Sequence, residues 1–85
     1  MPAILPCWVV DVRHERRSGR LGHFRSRPLT LTKARRVLSE YEQTGTPAEL
    51  RCVEELAHLH RLTIRGDLGR AEAVVAARNL GYDVE

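Results

Sequence analysis

Residues 8–27 read WVVDVRHERRSGRLGHFRSR. Trp8, Val10 and Val12 alternate with Val9, Asp11 and Arg13. That is the two-residue period of a β-strand, in β-branched and aromatic residues that favour one. The strand is expected over 4–14, with Trp8, Val10 and Val12 toward the core and with Pro2 and Pro6 limiting its extension before Cys7. Arg16-Arg17-Ser18-Gly19-Arg20 is polar and contains glycine, so it reads as a hairpin loop. A second strand follows over 21–27, with Phe24 on one face and Leu21, His23, Arg25 and Arg27 on the other. If Phe24 packs with Trp8 and Val12, then Arg25 and Arg27 share an outer face with Arg13, and Asp11 is their one acidic neighbour.

Outward from the hairpin the periodicity changes. Pro28 ends the second strand, and Thr30 or Thr32 can cap a helix over 31–43 whose buried stripe is Leu31, Ala34, Val37, Leu38 and Tyr41. Gly45 is its stop. Thr46-Pro47-Ala48-Glu49 then matches a capping box with proline at the first helical position. A second helix is therefore expected from there to about Arg61, with Leu50, Val53, Leu56, Ala57 and His60 as its stripe. So short a connection would fold the two helices into an antiparallel hairpin. Leu62-Thr63-Ile64 reads as a short strand or a connector, and Gly66-Asp67 as a turn. Asp67 can cap a third helix over 68–80 that stops at Gly81, with Tyr82 as the hydrophobic contact beyond it. Residues 82–85 can form a short last strand. The fold expected is α+β: an N-terminal antiparallel β-hairpin packed on an α-hairpin, with a third helix and a short C-terminal strand, in one small domain over 1–85.

The charge is concentrated. Between Arg13 and Arg36 stand nine basic residues and one acid, Glu15, a formal +8 in a chain whose net charge is +3. Residues 37–85 hold five arginines against nine acids. Phosphates call for clustered cations, and a two-stranded ribbon fits a major groove. The expected nucleic-acid-binding residues are Arg13, Arg16, Arg17, Arg20, His23, Arg25 and Arg27 of the hairpin, with Lys33, Arg35 and Arg36 at the start of the helix. Cations in a first helical turn oppose the helix dipole, so their presence there fits an external demand for positive charge. Such a surface positions nucleic acid more than it reads sequence. The function expected is a small nucleic-acid-binding accessory or regulatory protein, with DNA the favoured partner. The alternative is a protein-interaction module, an adaptor or phage-type inhibitor, docking its basic face on an acidic partner surface.

Trp8–Val12, Ser18-Gly19-Arg20, Phe24–Arg27 and Thr32-Lys33-Ala34 give a strand, a basic glycine turn, a basic strand and a helix start. In this order they resemble the small arm-site DNA-binding domains of phage-type integrases. The resemblance covers less than half of the chain. It departs from those domains in showing two strands before the helix where they have three, and in adding two further helices. What it implies is backbone contact with DNA by the hairpin.

Other chemistries find little support. Cys7, Cys52, His14, His23, His58 and His60 lack the paired spacing of a zinc site, so no metal or other cofactor is expected. A Cys7–Cys52 disulfide is open to the chain, but two buried thiols fit a cytoplasmic protein better. His60, on the apolar stripe, reads as a packed histidine. Glu54, Glu55, the histidines and Cys52 come with no phosphate loop or nucleophile motif, and no enzyme is expected. A helix-turn-helix over 49–80 is disfavoured by Glu54, Glu55, Asp67 and Glu72 and by the length of its turn. No apolar run is long enough to span a membrane, and residues 1–12 lack a signal peptide's basic start and cleavage site, so a cytoplasmic location and no membrane partner are expected. Thirteen arginines against one lysine suggest a GC-rich bacterial or phage origin. Free strand edges leave a homodimer open.

Overall fold

The computed structural model describes residues 5–15, 19 and 21–84. In chain order the elements are strand β1 (Trp8–Glu15), strand β2 (Leu21–Arg25), helix α1 (Leu31–Gln43), strand β3 (Ala48–Cys52), helix α2 (Glu54–Arg65) and helix α3 (Arg70–Asn79). The fold is α+β: one antiparallel sheet of order β2-β1-β3, with helices on its faces.

The hairpin expected from residues 8–27 is present. β1 pairs with β2 so that Asp11 faces Arg25, Val12 faces Phe24 and Arg13 faces His23. Both strands are shorter than expected. Residues 5–7 are not in the strand, and β2 stops at Arg25, after which Pro28 and Leu29 turn the chain toward α1. Leu29 remains tied to the sheet by exchanging backbone hydrogen bonds with Trp8 (3.0 and 2.7 Å).

β1 is the central strand, and this changes the reading of its faces. Val10 and Val12 pack under Ala34, Val37, Leu38 and Tyr41 of α1, with Trp8 and Leu50 beside them. The opposite face was expected to be outward. Instead Val9 is 1% exposed and packs with Val53, Leu56, Leu59, Ala73 and Ala77 beneath α2 and α3. Each buried valine of this strand contributes on the order of 1.5–3 kcal/mol by leaving water. A strand covered on both faces carries apolar side chains at odd and even positions, so WVV is a core run and not half of an alternation.

Phe24 stands on the α1 side, opposite Val12, yet is 52% exposed. α1 packs over β1 and β3, which leaves the edge strand β2 uncovered. Phe24 thus stands on the expected face, opposite Val12, but with no helix above it about half of the residue stays exposed.

The largest departure lies at 46–53. α1 ends with Thr44, and Gly45 has φ +74°. The Thr46 N–H donates to Tyr41 O (3.0 Å) and the Gly45 N–H to Glu42 O (3.1 Å), the double bond of a Schellman ending. This uses Thr46 as the end of one helix, so it cannot open the next. Pro47 O accepts from the Arg13 N–H (3.0 Å), and Ala48–Cys52 pairs with β1 from Val12↔Ala48 to Trp8↔Cys52. The expected capping box is not formed, and α1 and α2 are not an α-hairpin. The residues A-E-L-R-C alternate as a strand does, and the free edge of β1 offered five residues of pairing where a capping box offers two local bonds.

α2 begins later than expected, with Glu54 and Glu55 in its first turn, where the helix dipole favours acids. It continues through Leu62-Thr63-Ile64, read from sequence as a strand or connector, and stops at Gly66. α3 opens after Gly69 and not after Asp67. Its ending is as expected: Gly81 has φ +95°, and the Tyr82 N–H donates to Ala77 O (3.0 Å). Residues 82–84 form no strand; Val84 is 1% exposed and closes the α2–α3 core.

Candidate nucleic-acid interface

The packing of α2 and α3 stops at Val9, and beyond it the same sheet face is open. Asp11 lies there as the one buried charged side chain among the described residues, 5% exposed. Its partners come from both neighbouring strands. Arg25 donates from Nε to Oδ1 (2.7 Å) and from Nη2 to Oδ2 (3.2 Å). Arg51 Nε stands 3.2 Å from Oδ2, and His23 Nε2 stands 3.8 Å from Oδ1. Arg51 also donates from Nη2 to Glu49 Oε1 (3.3 Å). The hydrogen bonds from Arg25 hold the Asp11 carboxyl below its ordinary range against the opposing effect of burial, and the charges of Arg25, Arg51 and His23 act in the same direction.

The Arg25 and Arg51 side chains remain 46% and 56% exposed. A guanidinium has five N–H donors, and Asp11 takes two of those on Arg25. Each half-exposed guanidinium keeps donors beyond those pairs, a chemistry that suits an oxyanion. Arg13 is exposed beside them, and with His23, Pro47 and Arg51 it borders a depression of about 190 Å³ over the sheet.

The register thus brings together Arg13, His23 and Arg25, as the alternation predicted. It adds Arg51, which sequence reasoning had placed on a helix, and a second acid, Glu49. The alternation of A-E-L-R-C was the signal that could have placed Arg51 on this face. Arg27 does not share the face: it lies beyond the end of β2. Lys33, Arg35 and Arg36 are exposed on α1, on the other side of the sheet. Among the described residues, the cations of the charged segment therefore lie on both sides of the sheet. Arg16, Arg17 and Arg20 lie outside the described residues.

Arg27 and Lys33 meet again elsewhere. With Thr30, Arg70 and Asp83 they line a depression of about 220 Å³ where α1 and α3 begin. α3 presents Arg70 and Arg78 together with Ala71, Glu72 and Val75, a mixed face unsuited to a recognition helix. The link from α2 to α3 is only residues 66–69, so its length does not argue against a helix-turn-helix; the side chains do.

Cys7 and Cys52 are free thiols. Burial pushes the Cys7 thiol up and the neighbouring Cys52 adds to the effect, so Cys7 is protonated and poorly nucleophilic at neutral pH. His60 accepts from the Leu5 N–H at Nδ1 (3.2 Å), which pins the segment before β1 to α2. Among the described residues no group of three or more His, Cys, Asp or Glu could hold a metal ion, and no helix is long and apolar enough to cross a membrane.

No protein-family model matches the chain, and neither the curated proteins nor the solved structures searched contain a match.

Proposed function

We propose that this protein is a small nucleic-acid-binding accessory or regulatory protein, acting in the cytoplasm of a bacterium or phage-infected cell, with DNA as its favoured ligand. The observation that supports the reading is the open sheet face. Three strands supply Arg13, Arg25 and Arg51 to one surface, with His23 among them. The acid that orients two of these arginines is buried beneath. In the sequence, Arg16, Arg17 and Arg20 stand between the same two strands. These side chains would meet phosphates, with Glu49 the acid on the face that a phosphate would have to avoid.

A second reading has its own observation. Ile64, Val75 and Leu80, on or just after α2 and α3, are 57, 55 and 51% exposed, and such side chains favour a protein partner on the helical side. In that case the basic face would be a rim or a counter-charge, and a second copy of the chain is one such partner.

Fluorescence anisotropy on a mixed-sequence duplex, a single strand and an RNA hairpin, each at several salt concentrations, separates the two. Binding at low salt with a steep salt dependence is the expected result. Arg13→Ala and Arg51→Ala should each weaken it and reduce the salt slope by about one. Absence of binding at low salt, or a slope untouched by both changes, overturns the proposal. Loss of function on Ile64→Asp or Val75→Asp, with nucleic-acid binding absent, would favour the protein partner.

A further inference from the structure

β3 is an outer strand of the sheet, with β1 on one side of it. The pairing with β1 fixes which of its backbone groups are used. The Arg13 N–H donates to Pro47 O (3.0 Å), and the Val53 N–H donates to Cys7 O (2.8 Å). Asp11 stands opposite Glu49 and Val9 opposite Arg51, so the odd-numbered residues of 47–53 face the β1 ladder. The N–H and C=O groups of Ala48, Leu50 and Cys52 therefore point away from β1. No backbone hydrogen bond from another described residue reaches them. An edge of this kind is a template for a further strand.

The side chains on this edge are self-complementary. Glu49 and Arg51 share the open sheet face, whereas Ala48 and Leu50 pack on the α1 side. Let a second copy approach antiparallel, with Leu50 on the two-fold axis. Ala48 then stands opposite Cys52 of the second copy, and Glu49 stands opposite its Arg51, each twice over by symmetry. The free groups of Ala48, Leu50 and Cys52 meet one another in about six hydrogen bonds. A slip that centres the pair on Glu49 or on Arg51 sets like charges opposite each other. Glu49 already pairs along its own strand with Arg51 (3.3 Å), whose Nε stands 3.2 Å from Asp11 Oδ2. The second copy would bring another arginine to the far side of the Glu49 carboxylate.

The helix above agrees. α1 covers β1 and β3, so its two copies would run antiparallel on one side of the joined sheet. Lys33 stands seven residues before Glu40, and Arg35 seven before Glu42, all four exposed. Seven residues are about two helical turns, so each base shares a flank with its acid. Either flank, turned to an antiparallel copy, sets bases against acids. The other outer strand offers no such match. Symmetric pairing of β2 would set His23 against His23 or Arg25 of the second copy, or Arg25 against Arg25, on the face that already carries Arg13.

We propose that a second copy of this chain docks on the β3 edge, antiparallel and centred on Leu50, and so joins two three-stranded sheets into one. The dimer stands on the edge and its charges, independently of the proposed function. What it would add to that function is a continuous face carrying Arg13, Arg25 and Arg51 of both copies, with each Glu49 between two arginines. A nucleic acid would then meet two symmetry-related halves.

The first test is sedimentation equilibrium of the full chain without nucleic acid, over a wide range of concentration. The expected mass is twice that of the chain. Glu49→Arg sets arginine opposite arginine at both charged pairs and should weaken the dimer about tenfold. Ala48→Pro removes an outward N–H and no bond to β1, and should weaken it as well. Circular dichroism reports whether each variant is folded. Ala48→Cys tests the register, because residues opposed in a hydrogen-bonded pair stand about 5.5 Å apart, within disulfide range. With oxidised glutathione it should give a cross-linked dimer on a non-reducing gel, through Cys52 of the second copy, and adding Cys52→Ser should abolish the cross-link. A chain that is monomeric at every concentration overturns the proposal. So does a dimer that survives both Glu49→Arg and Ala48→Pro and forms no cross-link. A dimer that passes these tests while no oligonucleotide binds removes the nucleic-acid reading and leaves the dimer standing. Oligonucleotide binding by a chain that stays monomeric does the reverse.

Discussion

Asp11 shows what one residue does in a sheet of this kind. Its carboxylate is nearly excluded from water, and its cost in desolvation is met by Arg25 and Arg51 from the strands on either side. Both arginines are about half exposed, so solvent screens the pairs and their worth is discounted accordingly. Asp11→Asn should cost about 1–2 kcal/mol at neutral pH. The folded pKa lies below the ordinary value of 3.8, so the ionised group stabilises the fold above the unfolded carboxylate range and loses that contribution as pH falls through its folded pKa. Urea unfolding of both proteins should therefore show a stability gap at neutral pH that narrows below about pH 4. A gap that stays constant into strong acid would mean that the ionised form is not what holds the arginines. The same change frees Arg25 and Arg51 to move, so on the proposed function the affinity for nucleic acid should fall although a negative charge has been removed.

At the scale of elements, β3 decides the arrangement. A sequence with Thr46, Pro47 and Glu49 at capping-box spacing folds as the end of α1 followed by a strand. The Thr46 hydroxyl lies 3.0 Å from the hydroxyl of the exposed Thr44 and opens no helix. Thr46→Ala should therefore change stability by less than about 0.5 kcal/mol, the range of an ordinary surface change. Loss of a true N-cap would cost about 1 kcal/mol. Denaturant midpoints on the two proteins decide between them, and a cost near the larger value would restore the helical reading of 46–53. β3 matters to the site because it delivers Arg51 and Glu49 to the face that carries Asp11. A helix there would have left Asp11 with partners on one side only.

At the scale of the whole molecule, two cores share one strand. Val10 and Val12 serve the α1 side, and Val9 serves the α2–α3 side. An 85-residue chain holds on the order of 4–13 kcal/mol of stability. Leu56, fully buried, lies in the α2–α3 core with Val9. Leu56→Ala should cost about 3 kcal/mol, a large share of that total. Because Val9 also belongs to the central strand, the loss should lower the stability of α1 as well, in one transition seen alike by tryptophan fluorescence and by circular dichroism. Two separate transitions would show that the sides of the sheet unfold independently.

What the sequence determined by itself was whatever depends on neighbours along the chain. The hairpin, α1 over 31–43, the glycine endings of α1 and α3, and the sharing of one face by Arg13, His23 and Arg25 follow from local period and backbone preference. What only the tertiary structure decided depends on partners distant in sequence. Leu50, Val53 and Leu56 are spaced for a helix while A-E-L-R-C is spaced for a strand, and the free edge of β1 chose between them. Val9 is apolar on a face assumed to be open, and α2 and α3 cover it. Phe24 has the right face and no helix above it. The cations between Arg13 and Arg36 form one block in the chain, whereas those among the described residues lie on both sides of the sheet in space. Arg70 meets Arg27 and Lys33 only through the packing of α3. Local preference amounts to tenths of a kcal/mol per residue, whereas burial and strand pairing amount to several per element, so where the two disagree the long-range contacts prevail.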